Sequence, residues 1–367
     1  DFNDPHHQPT KASAVPSFLI NADDGLLLQG SGSIVLGGFK RVPFASSHTL
    51  SAAVATTTAG VQGSYVGLFP GTLGPLDQEL RLSGTTPLYT RNFFGYTSEF
   101  ADPNDQPTGR EFFRLRKSNV ELRHGISGAL LSGTLRLGLR GLGQFVDVEA
   151  TEDRFIVESA DISDQELSSR VYIGSQAFAE LSTLDNASYP KRGFFTQLLS
   201  TVRSDVTSGT DERIGTSGFF SVAAGTFIPF DRSQRFVLGT RAKFQHEVGD
   251  FPFYHAPTLG DQDLRAYNDE QLSGNGVFAQ SVDLRVELFR FREGLPGTIG
   301  VAASLDHGFA FGSLVADEEY NVIAGGTVFW SILDFVGLQV SYYQGLDEGS
   351  RLTFGLGPLF ANTGYVQ

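Results

Sequence analysis

The segment SVDLRVEL, residues 281–288, decides the fold of this chain. Its apolar residues stand at even positions, and a serine, an aspartate, an arginine and a glutamate stand between them. A period of two is typical of a β-strand with one apolar face and one polar face. The same alternation recurs in other segments, including residues 134–140, 235–245 and 351–360. The sequence therefore predicts an all-β protein.

Composition and length favour a barrel in a membrane over a soluble β-sandwich. At 367 residues, a soluble protein of this class needs two or three domains joined by linkers, and the sequence contains no internal linker. Charged residues make up only 19% of the chain, which also contains 43 glycines and 32 phenylalanines. Small residues suit a crowded lumen, and aromatic residues suit a lipid boundary. A soluble protein of several sandwiches is the alternative.

The chain divides into sixteen predicted strands, an even number that returns both chain ends to one side of a membrane. Long polar stretches at 88–110, 150–167, 249–275 and 311–319 all follow odd-numbered strands, and the alternate turns are short. This sorting of loops is typical of bacterial outer-membrane barrels. The predicted strands span residues 16–23, 25–38, 48–58, 60–73, 76–87, 111–126, 128–148, 168–183, 193–206, 214–229, 235–248, 276–290, 297–310, 320–333, 336–345 and 351–360.

A sheet in hydrocarbon can have no free edge, because lipid offers no hydrogen-bond partner to the backbone. We therefore predict a closed 16-stranded antiparallel transmembrane β-barrel, in which the first and last strands pair. Pro358 lacks the N–H that a ladder bond needs, so we expect a locally weak junction beside it. The predicted organisation is a flexible lead-in or linker at 1–14, the barrel at 15–360 and a C-terminal tail at 361–367.

The sequence gives little sign of chemistry. Its net charge of -14 argues against nucleic acid as a partner, and it contains no cysteine. The seven histidines lack the spacing of metal ligands, and no nucleophile elbow, Walker loop or dinucleotide fingerprint occurs. We therefore expect no enzyme activity, no metal site and no cofactor. The acidic run at 317–319 is interpreted as solvated charge, with a bound divalent cation as the alternative.

Several segments between Pro16 and Phe360 carry a family resemblance, among them residues 90–100, TRNFFGYTSEF, and residues 185–193, DNASYPKRG. The first is similar to an Asn-Phe-Phe-Gly segment frequent in bacteroidetes-type members of the BamA/TamA (bacterial surface antigen) superfamily. The second resembles the turn between the eighth and ninth strands of its barrels, and it is the most specific of these motifs. The matching turn residues are Asp185, Asn186, Pro190 and Gly193.

Residues 264–267, LRAY, resemble the family's Val/Leu-Arg-Gly-Phe/Tyr loop tip, which folds back into the barrel lumen. The resemblance implies that Arg265, with Tyr267 beside it, meets Asp283 and Asp306 on the next two strands and holds the loop in the lumen. An unpaired arginine in a poorly hydrated lumen is costly, and two carboxylates offset that cost with charge-assisted hydrogen bonds. A solvated loop arginine is the alternative.

The sequence departs from the family pattern in the loop tip and in the last strand. Ala266 replaces the usual glycine, and a positive φ at this position would cost about 1 kcal/mol. Residues 353–360, TFGLGPLF, resemble the terminal strand signal that the assembly machinery reads. Gly355 and Phe360 fit that signal, whereas Pro358 does not.

The resemblance implies a place and a role for the protein. It implies the bacterial outer membrane, and insertion or translocation of other outer-membrane proteins or lipids through a weak lateral junction. The implied partners are outer-membrane lipids and lipopolysaccharide, together with other outer-membrane or periplasmic proteins. The sequence contains no recognisable POTRA repeats, which receive substrates in the family. The alternatives are a barrel that anchors a periplasmic enzyme or serves in a larger outer-membrane complex, and a passive pore.

Overall fold

In this computed structural model, sixteen antiparallel strands of the described residues form one closed barrel, in which neighbours follow chain order and the last strand returns to the first. This architecture confirms the predicted fold class. None of the described helices is long and apolar enough to cross a membrane. The structure describes residues 10–21, 25–38, 43–89, 91–100, 102, 105–106, 108–187, 189–207, 213–291, 293, 296–332, 336–346 and 349–357.

Strands β1 to β15 each contain at least ten residues, which is enough to span a bilayer when a strand is tilted. The barrel strands are β1 (Lys11–Asn21), β2 (Gly25–Leu36), β3 (Ser46–Ala55), β4 (Val61–Leu73), β5 (Leu76–Thr85), β6 (Lys117–Leu130), β7 (Leu135–Val148), β8 (Arg170–Ser182), β9 (Gly193–Asp205), β10 (Thr216–Pro229), β11 (Phe236–Gly249), β12 (Gly276–Phe291), β13 (Gly297–Phe311), β14 (Asn321–Ile332), β15 (Val336–Gly345) and β16 (Ser350–Gly357).

The strands place charged side chains inside the barrel and apolar side chains outside. In β12, Asp283 and Arg285 are each 2% exposed, whereas Leu284 is 42% exposed and Leu288 is 41% exposed. A soluble protein would bury the leucines and expose the charges. The outward apolar face therefore lies in lipid, as in outer-membrane barrels, and the soluble-sandwich alternative is wrong.

The long loops lie at one end of the barrel, called here the loop end. Residues 86–116, 149–169, 250–275 and 312–320 follow β5, β7, β11 and β13. At the opposite turn end, most connections are short, and the ten-residue segment 183–192 after β8 is an exception. The loop end also carries a short helix, α1 (Phe155–Glu158), two 3-10 turns and two small hairpins. The 3-10 turns are Gly109–Phe113 and Phe253–His255, and the hairpin strands are Arg91–Asn92 with Arg114–Leu115 and Thr258–Leu259 with Leu272–Ser273.

Strand β1 begins at Lys11 rather than at the predicted residue 16, so the last residues of the predicted lead-in belong to the barrel wall. Residues 11–15 carry no clear apolar alternation, but their backbone continues the hairpin with β2, where Lys11 lies opposite Val35. Pairing with the neighbouring strand therefore sets the boundary. Residues 1–9 of the predicted lead-in and the predicted tail at 361–367 lie outside the described residues.

The hairpin between β6 and β7 also differs from the prediction, which placed its turn at residue 127. The structure places it at 131–134, where Leu131 and Ser132 have φ values of 51° and 57°. Gly125 and Gly128 are spaced as in a turn, which is why the sequence predicts one there, but both lie inside β6. At Gly125, a Cβ atom would overlap the backbone of β7, so this glycine marks a close approach of two strands.

Candidate functional site: the closed lumen and the seam

The loop 250–275 folds back into the lumen from the loop end, as the resemblance predicted. Its tip is buried, and Leu264 and Tyr267 pack with a cluster of apolar residues from the loop and from β12 to β15. Gly260 starts the tip, and its carbonyl accepts hydrogen bonds from the backbone N–H groups of Asp263 and Leu264. A Cβ atom at Gly260 would overlap the backbone of the returning part of the loop, so the tip needs glycine there.

Arg265 reaches two carboxylates on the lumen face of the wall. Its Nε donates to Oδ2 of Asp306 over 2.8 Å, and its Nη2 lies 2.8 Å from Oδ1 of Asp283. Nη1 donates to the hydroxyl of Tyr343 over 3.1 Å, and the guanidinium carbon lies 4.7 Å from the centre of that ring. The structure therefore brings together Arg265, Asp283 and Asp306, and Arg265 is not a solvated loop arginine.

Asp283 is held by more than Arg265. Ser304 donates to its Oδ1 over 2.7 Å, and Nη2 of Arg241 lies 3.3 Å from its Oδ2. A buried carboxylate with several donors is stabilised in its charged form. The cluster of Arg265, Asp283, Asp306 and Tyr343 is called below the Arg265 cluster.

Polar contacts at the side-chain hydroxyl and at the backbone carbonyl of Tyr267 fix the rest of the loop tip. The hydroxyl of Tyr267 donates to Oδ1 of Asn321, and its carbonyl accepts from Nη1 of Arg351. Arg351 also pairs with Asp261 at 3.1 Å. Ala266 does not have a positive φ, so the strain expected for alanine at this position is absent.

A cap of apolar side chains covers the loop end. It is built from loops 86–116, 149–169 and 250–275, and its core includes Phe93, Ile156 and Phe253. The rings of Phe93 and Phe253 lie 4.9 Å apart between centroids. The segment NFFG at 92–95 therefore supplies the cap with aromatic residues. The sequence analysis interpreted these loops as polar and missed the cap, although their apolar residues were a signal.

His255 anchors the cap to the barrel wall. Its Nε2 lies 3.1 Å from Oε1 of Gln144 in β7, and its ring packs edge-on against Tyr172 at 4.8 Å. Burial lowers the pKa of His255 well below its ordinary value, and the cations Arg203 and Lys117 lower it further. The histidine is therefore neutral and structural, as expected from the scattered histidines.

The turn 183–192 folds into the lumen from the turn end, and the side chains of Asp185 and Asn186 shape it. Oδ1 of Asp185 accepts the backbone N–H groups of Lys191 and Arg192 over 3.0 and 3.2 Å. Oδ1 of Asn186 accepts the backbone N–H of Tyr189 over 2.9 Å. These side-chain bonds replace the backbone partners that a turn leaves open.

The same turn inserts Tyr189 into the barrel. The tyrosine ring lies 5.9 Å from the ring of Phe329 and 5.3 Å from the guanidinium carbon of Arg285. Arg285 also donates to the carbonyl of Pro190. Glu287 accepts a hydrogen bond from the hydroxyl of Tyr189 over 3.3 Å. The turn 183–192 is called below the inner plug, and the loop 250–275 the outer plug.

Both plugs attach to the same strand. Asp283, Arg285 and Glu287 are successive lumen-facing positions of β12. Asp283 holds the outer plug through Arg265, and Arg285 holds the inner plug through Pro190. The segment SVDLRVEL therefore carries the contacts that close the barrel from both sides. The sequence analysis identified Asp283 and missed Arg285, Glu287 and the inner plug.

Gly193 ends the inner plug with φ +110°, and a Cβ atom there would overlap the carbonyl oxygen of Thr183. We expect Gly193→Ala to lower the free energy of unfolding by more than the roughly 1 kcal/mol that a positive φ costs alone, because steric overlap adds to it. Thermal unfolding in detergent measures the loss. Gly133→Ala is the matched control, because Gly133 has φ +93° in another turn and nothing within 4 Å of its Cβ position. Equal losses would contradict the steric argument.

The junction between β1 and β16 closes the barrel and is called here the seam. Among the described residues, it contains two paired positions, Phe18 opposite Leu356 and Leu19 opposite Gly355. Over residues 17–21 of β1 and 353–357 of β16, where both strands are described, two of five register positions pair, whereas all five of these β1 residues pair with β2. The seam is therefore the weak junction of the described wall.

If the register of the seam continued, Ile20 would lie opposite Phe354. The structure describes both residues, and they do not pair. Gly355, a residue of the predicted terminal signal, lies in this junction. The other signal residue, Phe360, lies outside the described residues, as does Pro358. The described residues also contain no group of three or more His, Asp or Glu side chains that could hold a metal ion.

Solved structures share this architecture. CdiB from Escherichia coli superposes with a TM-score of 0.65 at 14% sequence identity, over 95% of this chain and 62% of that chain. BamA from Haemophilus ducreyi, in a crystal structure lacking POTRA domains 1-3, superposes with a TM-score of 0.66 at 10% sequence identity, over 95% of this chain and 70% of that chain. CdiB from Acinetobacter baumannii superposes with a TM-score of 0.59 at 12% sequence identity, over 95% of this chain and 60% of that chain. No protein-family model and no curated protein matches the sequence.

These likenesses, together with the outward apolar face, define the class of the protein. It is an integral β-barrel of the bacterial outer membrane with the fold of BamA and CdiB, which confirms the predicted fold and location. At these identities the likeness concerns the fold. The chain spans 62% of the length of CdiB from Escherichia coli.

Proposed function

We propose that this barrel inserts or translocates outer-membrane proteins or lipids by opening its seam toward the membrane. The observation that carries the proposal is that, where both strands are described, two of five register positions pair between residues 17–21 of β1 and 353–357 of β16, whereas all five of these β1 residues pair with β2. Each backbone hydrogen bond left unpaired in lipid is expensive, so a wall opens where the fewest bonds must break. The seam is that place among the described strands.

The closed lumen supports a sideways route over a passive pore. The outer plug and the cap fill the loop end, and the inner plug fills the turn end. Each plug is held by buried charges, and breaking such a pair by removing one partner is strongly destabilising. A substrate that leaves through the seam does not require both plugs to move. In this proposal the seam opens, and the two plugs stay in place as a rigid support.

The seam can be tested with an engineered disulfide, because the native chain contains no cysteine. Phe18 and Leu356 lie directly opposite each other, at a spacing that suits a disulfide. We expect wild-type protein in phosphatidylcholine vesicles to accelerate the folding of a urea-unfolded eight-stranded outer-membrane barrel. We expect oxidised Phe18→Cys/Leu356→Cys to return that rate to the rate of empty vesicles, and reduction to restore it. Mobility of the unheated product on a gel measures folding.

The matched control is Leu338→Cys/Leu356→Cys, which shares one cysteine with the test variant. Leu338 lies opposite Leu356 in the continuous β15–β16 junction, so this disulfide leaves the seam free. The control should keep full activity in both redox states. Full activity of the oxidised seam variant would contradict a moving seam. Absence of any acceleration by the wild-type protein would contradict the proposed function and favour a role as a membrane anchor.

A further inference from the structure

A polar chamber of about 460 Å³ lies on the lumen side of β4, β5 and β6, beside the region that the plugs fill. Its wall contains four cations, Arg81, Arg91, Lys117 and Arg123, together with one carboxylate, Glu121. Uncharged polar side chains such as Gln62 complete the wall. Arg91 pairs with Glu270 and Asp269 of the outer plug at 2.9 and 3.6 Å, which leaves Arg81, Lys117 and Arg123 as the cations of the wall that the plugs do not pair with.

The sheet register places two of these cations against each other. Arg81 in β5 lies directly opposite Arg123 in β6, and both side chains point into the lumen. Side chains that are directly opposite in an antiparallel pair start about 5 Å apart, and like charges in this arrangement are destabilising. The register therefore sets two cations side by side on the chamber wall.

The nearby carboxylates do not balance these cations. Glu79 pairs with Arg81, but it also accepts Arg136 and Arg140, each at 3.1 Å. Arg136 also lies 3.7 Å from Glu180, so three guanidinium groups share two carboxylates. Arg123 has its own partner in Glu121 at 2.6 Å, although its buried Nε has no acceptor in the described residues.

Lys117 adds to the positive charge of the chamber. No carboxylate lies within ion-pair distance of its ammonium group in the described part of the chain, and the ammonium lies 5.5 Å from the centre of the Tyr254 ring. An ammonium group near an aromatic face is stabilised only modestly. The chamber therefore offers an unbalanced positive charge to any anion that enters it.

We infer that this chamber binds an oxyanion of the phosphate class between Arg81 and Arg123. Guanidinium groups donate in pairs to phosphate oxygens, and an anion between two of them turns a repulsive pair into an attractive site. Uncharged donors of the wall, including Ser64 and Asn119, are placed to complete its hydrogen bonds. The inference does not depend on whether the seam opens.

The phosphate group could come from free phosphate or from a lipid headgroup. A second chamber of about 370 Å³ shares Gln62 and Ser64 with the first one and extends to Ser17 in β1. That strand forms one side of the seam. The two chambers therefore lie side by side on the lumen face of the wall, between the arginine pair and the strand that forms the seam.

The first test uses purified protein in an uncharged detergent, with inorganic phosphate compared with chloride at equal ionic strength. We expect phosphate at about ten times its dissociation constant to raise the melting temperature by roughly 2 °C, because it binds the folded state only. Equal effects of phosphate and chloride would overturn the inference.

Two variants test whether Arg81 and Arg123 bind phosphate or only support the fold. Arg123→Gln should abolish the phosphate effect, because it removes one of the two guanidinium groups; its melting temperature without phosphate is the baseline, since the variant also leaves Glu121 without its partner. Arg136→Gln is the control, since Arg136 pairs with Glu79 but does not line the chamber. It should lower the melting temperature and keep the phosphate effect. If Arg123→Gln keeps the phosphate effect, as Arg136→Gln should, the arginine pair is structural and the inference is wrong.

A second arm identifies the source of the phosphate group. The protein is placed in phosphatidylcholine nanodiscs with or without phosphatidylglycerol, and retained lipid is counted by native mass spectrometry. Retention of phosphatidylglycerol by the wild type and its loss in Arg123→Gln support a lipid headgroup. A phosphate effect without retained lipid supports a free anion. Retention that is the same in both proteins would contradict a headgroup in this chamber.

Discussion

Arg265→Ala is expected to release the outer plug from the lumen and to lower the free energy of unfolding by about 3 kcal/mol or more. The reason is the charge that the variant leaves behind. Asp306 is fully buried, and three of its hydrogen bonds come from Arg265. Asp283 keeps Arg241 and Ser304, so most of the loss should arise at Asp306. Removing one partner of a buried pair costs more than the pair contributes, because the other charge stays unsolvated.

Two measurements check this expectation. Chymotrypsin added to intact vesicles should cut within 250–275 much faster in the variant, and thermal unfolding should show the lost stability. Arg213→Ala, at an exposed loop arginine, is the control and should change neither. The double variant Arg265→Ala/Asp306→Ala should recover part of the stability, since it removes the unpaired carboxylate. Unchanged cleavage and unchanged melting in Arg265→Ala would contradict the proposed role of the Arg265 cluster.

The second large effect is expected in electrical conductance. A barrel of sixteen strands is wide enough for an aqueous channel, so the plugs decide whether ions pass. We expect wild-type protein in planar bilayers to give small or flickering currents. The double variant Arg265→Ala/Tyr189→Ala should give a large and steady current, because it weakens the holds on both plugs.

The single variants are the controls for conductance, because each leaves one plug in place. Arg265→Ala leaves Tyr189 against Phe329, and Tyr189→Ala leaves the Arg265 cluster intact. Each should conduct far less than the double variant. A large steady current through the wild type would show that the plugs do not seal the lumen. It would also revive the passive pore as an alternative to the seam.

Much of the fold followed from local patterns. The alternation in SVDLRVEL predicted one apolar and one polar face, and the barrel places the apolar face outward. Sorting of long loops after odd-numbered strands predicted the two ends of the barrel. Boundaries were less predictable where backbone pairing outweighs side-chain pattern. β1 extends to Lys11 because β2 offers it a partner, and Gly125 lies within β6 because two strands approach closely there.

The site was predictable only in part. The family resemblance of LRAY indicated Arg265, Asp283 and Asp306, and these residues lie together in the structure. The inner plug was not predicted beyond its turn residues. Tyr189 and Arg285 are ninety-six positions apart in the numbering, that is 285 − 189, and no local pattern joins them.

The sequence by itself determined that each strand carries one apolar and one polar face, because the residues alternate with a period of two, and its composition and loop pattern favoured a barrel in lipid. Only the tertiary structure decided what fills the lumen and where the wall is weak. Curling the sheet into a barrel places Arg81 against Arg123 and both plugs against β12, and it leaves the β1–β16 seam with two paired positions in the described residues. Such contacts depend on register and closure, which are properties of the whole sheet and not of any one strand.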